Sequence, residues 1–190
     1  MNIDLNVGEG LKCHEAALEK YTRAGGILGR TPRYNSSMSF HEQIAELAES
    51  LGAEWAVAKY FAINYDPNKD TYKTQADVGA GLEIKWSKYS NGHLIIYPTD
   101  RVSDIGILVT GKFPTYTIIG WIPVAMAKKD RYKHSAQDSW WVDQGNLQPI
   151  QNLVRSSYAD ATLQVPNLER SHRAPARHSE RPNAARCPMR

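Results

Sequence analysis

At 190 residues the chain is long enough for one domain with its own hydrophobic core and short for two. Hydrophobic residues make up 42% and charged residues 23% of it, ordinary globular proportions that exclude a wholly disordered chain. The formal net charge of +3 is compatible with a polyanionic partner without identifying one. Cys13 and Cys187 stand near opposite ends, so they form neither a CxxC metal pair nor a disulfide framework. No stretch approaches the roughly 18 apolar residues of a membrane span, and the opening MNIDLNVGEG has no basic segment followed by an apolar run. The expectation is a soluble, cytoplasmic protein in a reducing compartment, with no membrane partner.

Residues 9 to 23 mix Leu11, Ala16, Ala17, Leu18 and Tyr21 with charges and stop at Gly25-Gly26, which predicts a first helix. Residues 24 to 38 combine turn-forming types with Arg30 and Arg33 and read as a basic loop. The strongest helical pattern follows over about 39 to 63. Phe40, Ile44, Leu47, Leu51, Trp55 and Ala58 keep a three-to-four spacing, and Ser39 lies three residues before Glu42 as in a capping box. It predicts one long helix, or two joined at Gly52.

After the turn at Asp66-Pro67-Asn68, alternating β-branched and aromatic segments predict strands near 72–78, 81–87, 92–98, 104–110 and 115–122, forming one sheet. Turns at Ser90-Asn91-Gly92 and Gly111-Lys112-Phe113-Pro114 separate the later ones. PVAMAKKDRY reads as a short helix or a loop, and the stretch from Ser139 to Val154 as an irregular segment packing back on the core. From Ser171 the composition shifts to five Arg, three Pro, two His and one acid, with almost no large apolar residue. Such a segment cannot bury enough surface to order itself and reads as a disordered basic tail, either idle or attracted to phosphates. The predicted division is one domain over 1–170 and a tail over 171–190.

Chemistry concentrates in QADVGAGLEIKWSKY, residues 75 to 89. On a strand Glu83 and Lys85 share one face while Leu82, Ile84 and Trp86 take the other, so the core lies on the Leu-Ile-Trp side. A glycine-rich link that brings Asp77 back over the strand end puts two carboxylates and one ammonium together. Two close carboxylates suit a hard divalent cation, most naturally Mg2+ with Mn2+ as a substitute, which retains waters and takes phosphate oxygens as further ligands. Such an ion acidifies a bound water and offsets phosphate charge, and a lysine beside it orients that water or offsets developing charge.

Asp77 followed by Glu83-Ile84-Lys85 resembles the active-site signature of the PD-(D/E)XK nucleases, the restriction-endonuclease-like superfamily, and small phage-encoded members in particular. The resemblance covers about residues 39 to 122. It implies an α/β fold with a restriction-endonuclease-like core, a central mixed β-sheet flanked by helices, and a metal-dependent DNA endonuclease acting in phage DNA processing or degradation in the host cytoplasm. It implies Asp77 and Glu83 as metal ligands, the Ile84 carbonyl as a further one and Lys85 as the water-positioning or transition-state group. A glutamate from the preceding helix completes the set: Glu46, Glu49 or Glu54, with Glu54 preferred because GAEWAVAKYF sets it beside the small apolar face. Ala76 stands where the pattern has proline, and only five residues separate Asp77 from Glu83, with Asp70 the alternative acid.

A lone Glu-x-Lys on an exposed strand is usually a solvated stripe; the order of the surrounding elements carries the weight. Lys128, Lys129, Arg131 and Lys133, with Tyr132 between them, read as a solvated loop or a DNA-backbone clamp. Arg101 is a further candidate phosphate contact, although Asp100, Arg101 and Asp104 read first as a turn. His93 reads as a surface or packing residue. Of Trp140 and Trp141 one packs inward and the other is left for packing, base stacking or a homodimer contact. The alternative to the nuclease is a catalytically inactive DNA-binding module on the same fold; a third reading is an interaction protein that merely displays these charges.

Overall fold

The computed structural model describes residues 1–25, 38–71 and 74–163. The expected basic loop lies mostly outside these residues, and the expected tail lies wholly outside them.

Two helices begin with reciprocal capping boxes. α1 (Val7–Arg23) is capped by Asn6 with Glu9, and α2 (Phe40–Tyr60) by Ser39 with Glu42, so backbone donors that a helix start leaves open are satisfied by side chains three residues apart. Gly52 does not break α2, which runs as one helix; its missing Cβ admits the Tyr116 hydroxyl, which would stand 2.1 Å from it. Cys13, Ala16 and Ala17 of α1 meet Ala48 and Leu51 of α2, and these small side chains let the helices approach closely.

The central sheet is mixed and flanked by helices. It contains β1 (Asn2–Asp4), β2 (Leu82–Ser87), β4 (Ile105–Lys112) and β5 (Thr115–Pro123) in the order β1-β5-β4-β2. β4 and β5 form an antiparallel hairpin, β1 lies antiparallel to β5, and β2 lies parallel to β4 at the other edge. Ala53, Ala56 and Val57 of α2 pack with Leu82, Ile84, Ile105, Ile107, Val109, Tyr116 and Ile118 in the main core. Leu82 and Ile84 thus face inward, as the alternation in the sequence requires, with Trp86 half-buried beside them.

Two expected strands differ. The segment at 92–98 does not join the central sheet: β3 (Leu94–Ile96) pairs antiparallel with β6 (Trp140–Val142) in a separate two-stranded sheet. That sheet packs through Leu94, Ile96 and Val142 against Leu108 and Ile122 on the face opposite α2. Gly106 permits the approach, since a Cβ there would stand 3.2 and 3.3 Å from Ile96 and Leu94. Of the segment expected as a strand over 72–78, residues 72 and 73 lie outside the described residues and 74–78 form a turn and bend with one isolated bridge, Val78 to Leu82. The ladder is replaced by side chains: the Asp77 carboxylate accepts the Ile84 N–H at 2.8 Å, and the Arg101 guanidinium donates to the Thr74 carbonyl at 2.8 Å.

The stretch after β5 resolves into a short helix α3 (Val124–Ala127) and a 3-10 turn at Asp130–Tyr132. The segment expected to be irregular holds β6 and 3-10 turns at Gln144–Asn146 and Ile150–Arg155, and α4 (Ala159–Thr162) closes the described chain. Among the described residues no helix is long and apolar enough to cross a membrane.

Candidate functional site

A tight hairpin sets the site. Val78 and Leu82 exchange both backbone hydrogen bonds at 3.1 Å around Gly79-Ala80-Gly81, and Gly79 supplies the left-handed φ of +60° that the reversal needs. Five intervening residues therefore suffice to fold Asp77 back beside β2. Its carboxylate meets the outer edge of β2, where even-numbered residues of a parallel edge strand direct their backbone groups away from the sheet. Gly81, an odd-numbered position, sends its carbonyl to Ile105 of β4 instead. The same alternation sends the Ile84 carbonyl outward.

A cleft of about 650 Å³ opens along this edge, lined by Glu54 of α2, Asp77, Glu83, Ile84 and Lys85 among others. Ile84 lines it although its side chain is buried in the main core. Of the three helix glutamates, Glu54 is the one in the cleft. Glu46 pairs with Lys88 at 3.0 Å, and Glu49 accepts from the Phe113 N–H and the Tyr116 hydroxyl. Asp70 is held by Lys20 and Arg23 of α1 and does not line the cleft.

The charges in the cleft are strongly coupled. Burial, and next the charge of Asp77, push the Glu54 carboxyl up to about 8; the Tyr65 hydroxyl, donating at 2.8 Å, and Lys20 oppose this, and Glu83 adds to it. Burial and Asp77 thus favour the protonated form of Glu54. Glu83 is buried, and its Oε1 accepts from Lys85 Nζ at 2.6 Å. The same ammonium reaches the Asp100 carboxylate at 2.9 Å, whose side chain is fully buried and also accepts the Tyr97 N–H at 2.8 Å. Burial works against the charge on Lys85, but Glu83 and Asp100 outweigh it and raise its pKa. Lys85 consequently remains an ammonium throughout the neutral range and can act as a cation, not as a base. Lys128 fixes the Asp100 loop by donating to the carbonyls of Pro98 and Asp100 at 2.9 and 2.6 Å.

No family model matches the chain, and no curated protein or solved structure does.

The other basic residues stand apart from the carboxylates. Arg101 makes a two-pronged pair with buried Asp104, both bonds 2.8 Å, and so ties a loop to the core. Lys128 and Lys133 lie over the Trp140 ring, 5.6 and 4.1 Å from its centroid, Lys133 also pairs with Asp138, and Arg131 covers Tyr132 at 4.5 Å. Lys129, Arg131 and Lys133 are exposed. Trp140 packs on the second core, whereas Trp141 lines the cleft. Asp100 as the second anchor of Lys85 is the residue that sequence reasoning took for a turn; the signal was the polar TD beside a buried strand, and nothing in its spacing points to Lys85.

The cleft gathers carboxylates from α2, the hairpin and β2. Among the described residues no three His, Cys, Asp or Glu side chains converge as a metal-binding group. Magnesium commonly takes only one or two carboxylates and fills its octahedron with water and substrate phosphate.

Proposed function

We propose that the protein is a metal-dependent DNA endonuclease with a restriction-endonuclease-like core, hydrolysing phosphodiester bonds in the β2-edge cleft. The observation that carries this reading is the grouping of Glu54, Asp77, Glu83 and Lys85 in one cleft, reached from a helix, a hairpin and the edge strand that follows it. Asp77, Glu83 and the Ile84 carbonyl would hold Mg2+ or Mn2+, with Glu54 contributing from α2. When bound, that ion lowers the pKa of a water and offsets negative charge on the scissile phosphate.

The chain's own residues supply the rest. Glu83 and Asp100 hold the Lys85 ammonium at the cleft, where it orients the attacking water or offsets charge developing on the phosphoryl oxygens. Glu54, whose burial favours its protonated form, would release that proton to solvent if it joined the cation's ligands. In-line attack leaves a 5′-phosphate and a 3′-hydroxyl. Lys129, Arg131 and Lys133 are exposed cations that backbone phosphates could reach outside the cleft.

A second reading is favoured by one observation: Lys85 already has two carboxylate partners, as a structural ammonium would. On that reading the chain is a DNA-binding module without catalysis. Conversion of supercoiled plasmid to nicked and linear forms, in magnesium, manganese or EDTA, separates the two. Wild type is expected to cut only with metal, and Glu83→Gln and Lys85→Ala to lose roughly 10²-fold or more of the rate. Binding without cutting in every metal supports the module; neither binding nor cutting removes nucleic acid from consideration.

A further inference from the structure

The small sheet turns an unusual face to the cleft. Side chains alternate along β3, so Leu94 and Ile96 bury themselves in the second core while His93, Ile95 and Tyr97 project the other way and line the cleft. Across the ladder Ile95 pairs with Trp141, which joins them. The outward face of a two-stranded sheet is ordinarily polar; this one is aromatic. Trp141 lies against the His134 ring at 4.6 Å and 30° and against His93 at 5.5 Å and 41°, so it is oriented by neighbours and still only half-buried. Its indole N–H is satisfied by Ser139 Oγ at 3.0 Å, which holds the ring edge inward. Tyr89, 62% exposed, lies on the same rim.

The wall adjoins the chemistry. The Tyr97 ring centroid is 5.5 Å from Lys85 Nζ, so the ammonium assigned to phosphate stands beside a π-face. Nucleic-acid bases stack on such faces regardless of sequence, and a backbone cation next to them completes a single-strand site. The cleft's volume of about 650 Å³ is on the scale of small-ligand sites, about 300–1,000 Å³, room for a nucleotide unit.

From this juxtaposition we infer that the Tyr89–His93–Tyr97–Trp141 wall binds an unpaired base of single-stranded nucleic acid, directing the phosphate beside it to Lys85. The inference rests on the nuclease reading for the role of Lys85, but stacking is measurable without cleavage. Fluorescein-labelled oligo(dT) and a blunt duplex of equal length are titrated with the full chain in calcium, and binding is read by anisotropy. Wild type is expected to bind the single strand at least about tenfold more tightly. Trp141→Ala and Tyr89→Ala should each weaken it by about tenfold, the loss of one stacked base, and leave duplex binding unchanged; Trp141→Phe should retain most of it. Tyr89 is exposed, so its variant reports on stacking without a folding defect. Equal affinity for both forms, equal losses on both, or no binding of either overturns the wall. Cleavage of the same oligonucleotides in magnesium is scored separately: stacking without cutting sinks the nuclease and leaves the wall, and cutting indifferent to Trp141 and Tyr89 does the reverse.

Discussion

Glu54 is biased toward its protonated form by burial and the charge of Asp77, against the Tyr65 hydroxyl and Lys20. Its folded pKa of about 8 lies above the ordinary 4.5, burial being the main cause and Asp77 the next. A carboxyl raised in the folded state binds its proton more tightly there than when unfolded, so its contribution to stability is complete below about 4.5 and is lost as pH rises to about 8. The melting temperature without metal is therefore expected to fall across that window. Glu54→Gln, which retains an acceptor for the Tyr65 hydroxyl, should flatten the fall and melt above wild type at pH 8. Thermal scans of both proteins across pH decide this, and parallel curves would show that Glu54 is not the group responsible. Arg101 offers a contrast at the same scale. Its two bonds to buried Asp104 predict that Arg101→Ala costs about 1–3 kcal/mol in denaturant unfolding, because the buried carboxylate loses two charge-assisted bonds and retains the Ser103 hydroxyl at 3.2 Å. A pure phosphate contact would cost almost nothing in that assay.

The elements that were legible in the sequence are those whose signals are local. The capping residues Ser39 and Glu42 lie within one turn of each other, and the apolar spacing behind them marks α2 without any partner. The alternation of Leu82, Ile84 and Trp86 against Glu83 and Lys85 likewise fixes which side of β2 is buried. What was not legible depends on distant partners. Asn2–Asp4 is too short to announce a strand and is defined by β5, more than a hundred residues on; β3 and β6 look like any other short apolar runs until Gly106 lets them cross the sheet. Asp77 was visible as an acid, but its bond to the Ile84 N–H comes from the hairpin that turns it back. That hairpin can be tested through Gly79, where an added Cβ would stand 2.9 Å from the Thr162 carbonyl oxygen at a φ of +60°. Gly79→Ala is expected to cost about 1–2 kcal/mol for the left-handed backbone alone. On the nuclease reading it also lowers cleavage by displacing Asp77. Gly81→Ala, which meets the movable Thr162 methyl at 3.0 Å, should be milder in both respects.

At the scale of the whole molecule, a formally basic chain concentrates acids in its principal cleft. The net charge is +3, yet Glu54, Asp77, Glu83 and the Asp100 behind Lys85 gather at one sheet edge, where Lys85 bridges Glu83 and Asp100. Burial and the charge of Asp77 both favour a proton on Glu54. A divalent cation should replace it. Any ligand that binds the folded state alone stabilises it by mass action, about 2.7 kcal/mol at a hundredfold excess over Kd. For a chain of this size that corresponds to roughly 5–10 °C in melting temperature. Because the cation competes with the Glu54 proton, the shift is expected to be small at pH 6 and to approach its full size above pH 8. Glu83→Gln should reduce it at every pH, and Glu54→Gln should remove its pH dependence. Calorimetry in magnesium, manganese and EDTA measures this without reference to any nucleic acid, so a flat response in all three would count against the metal even if the protein proved to bind DNA.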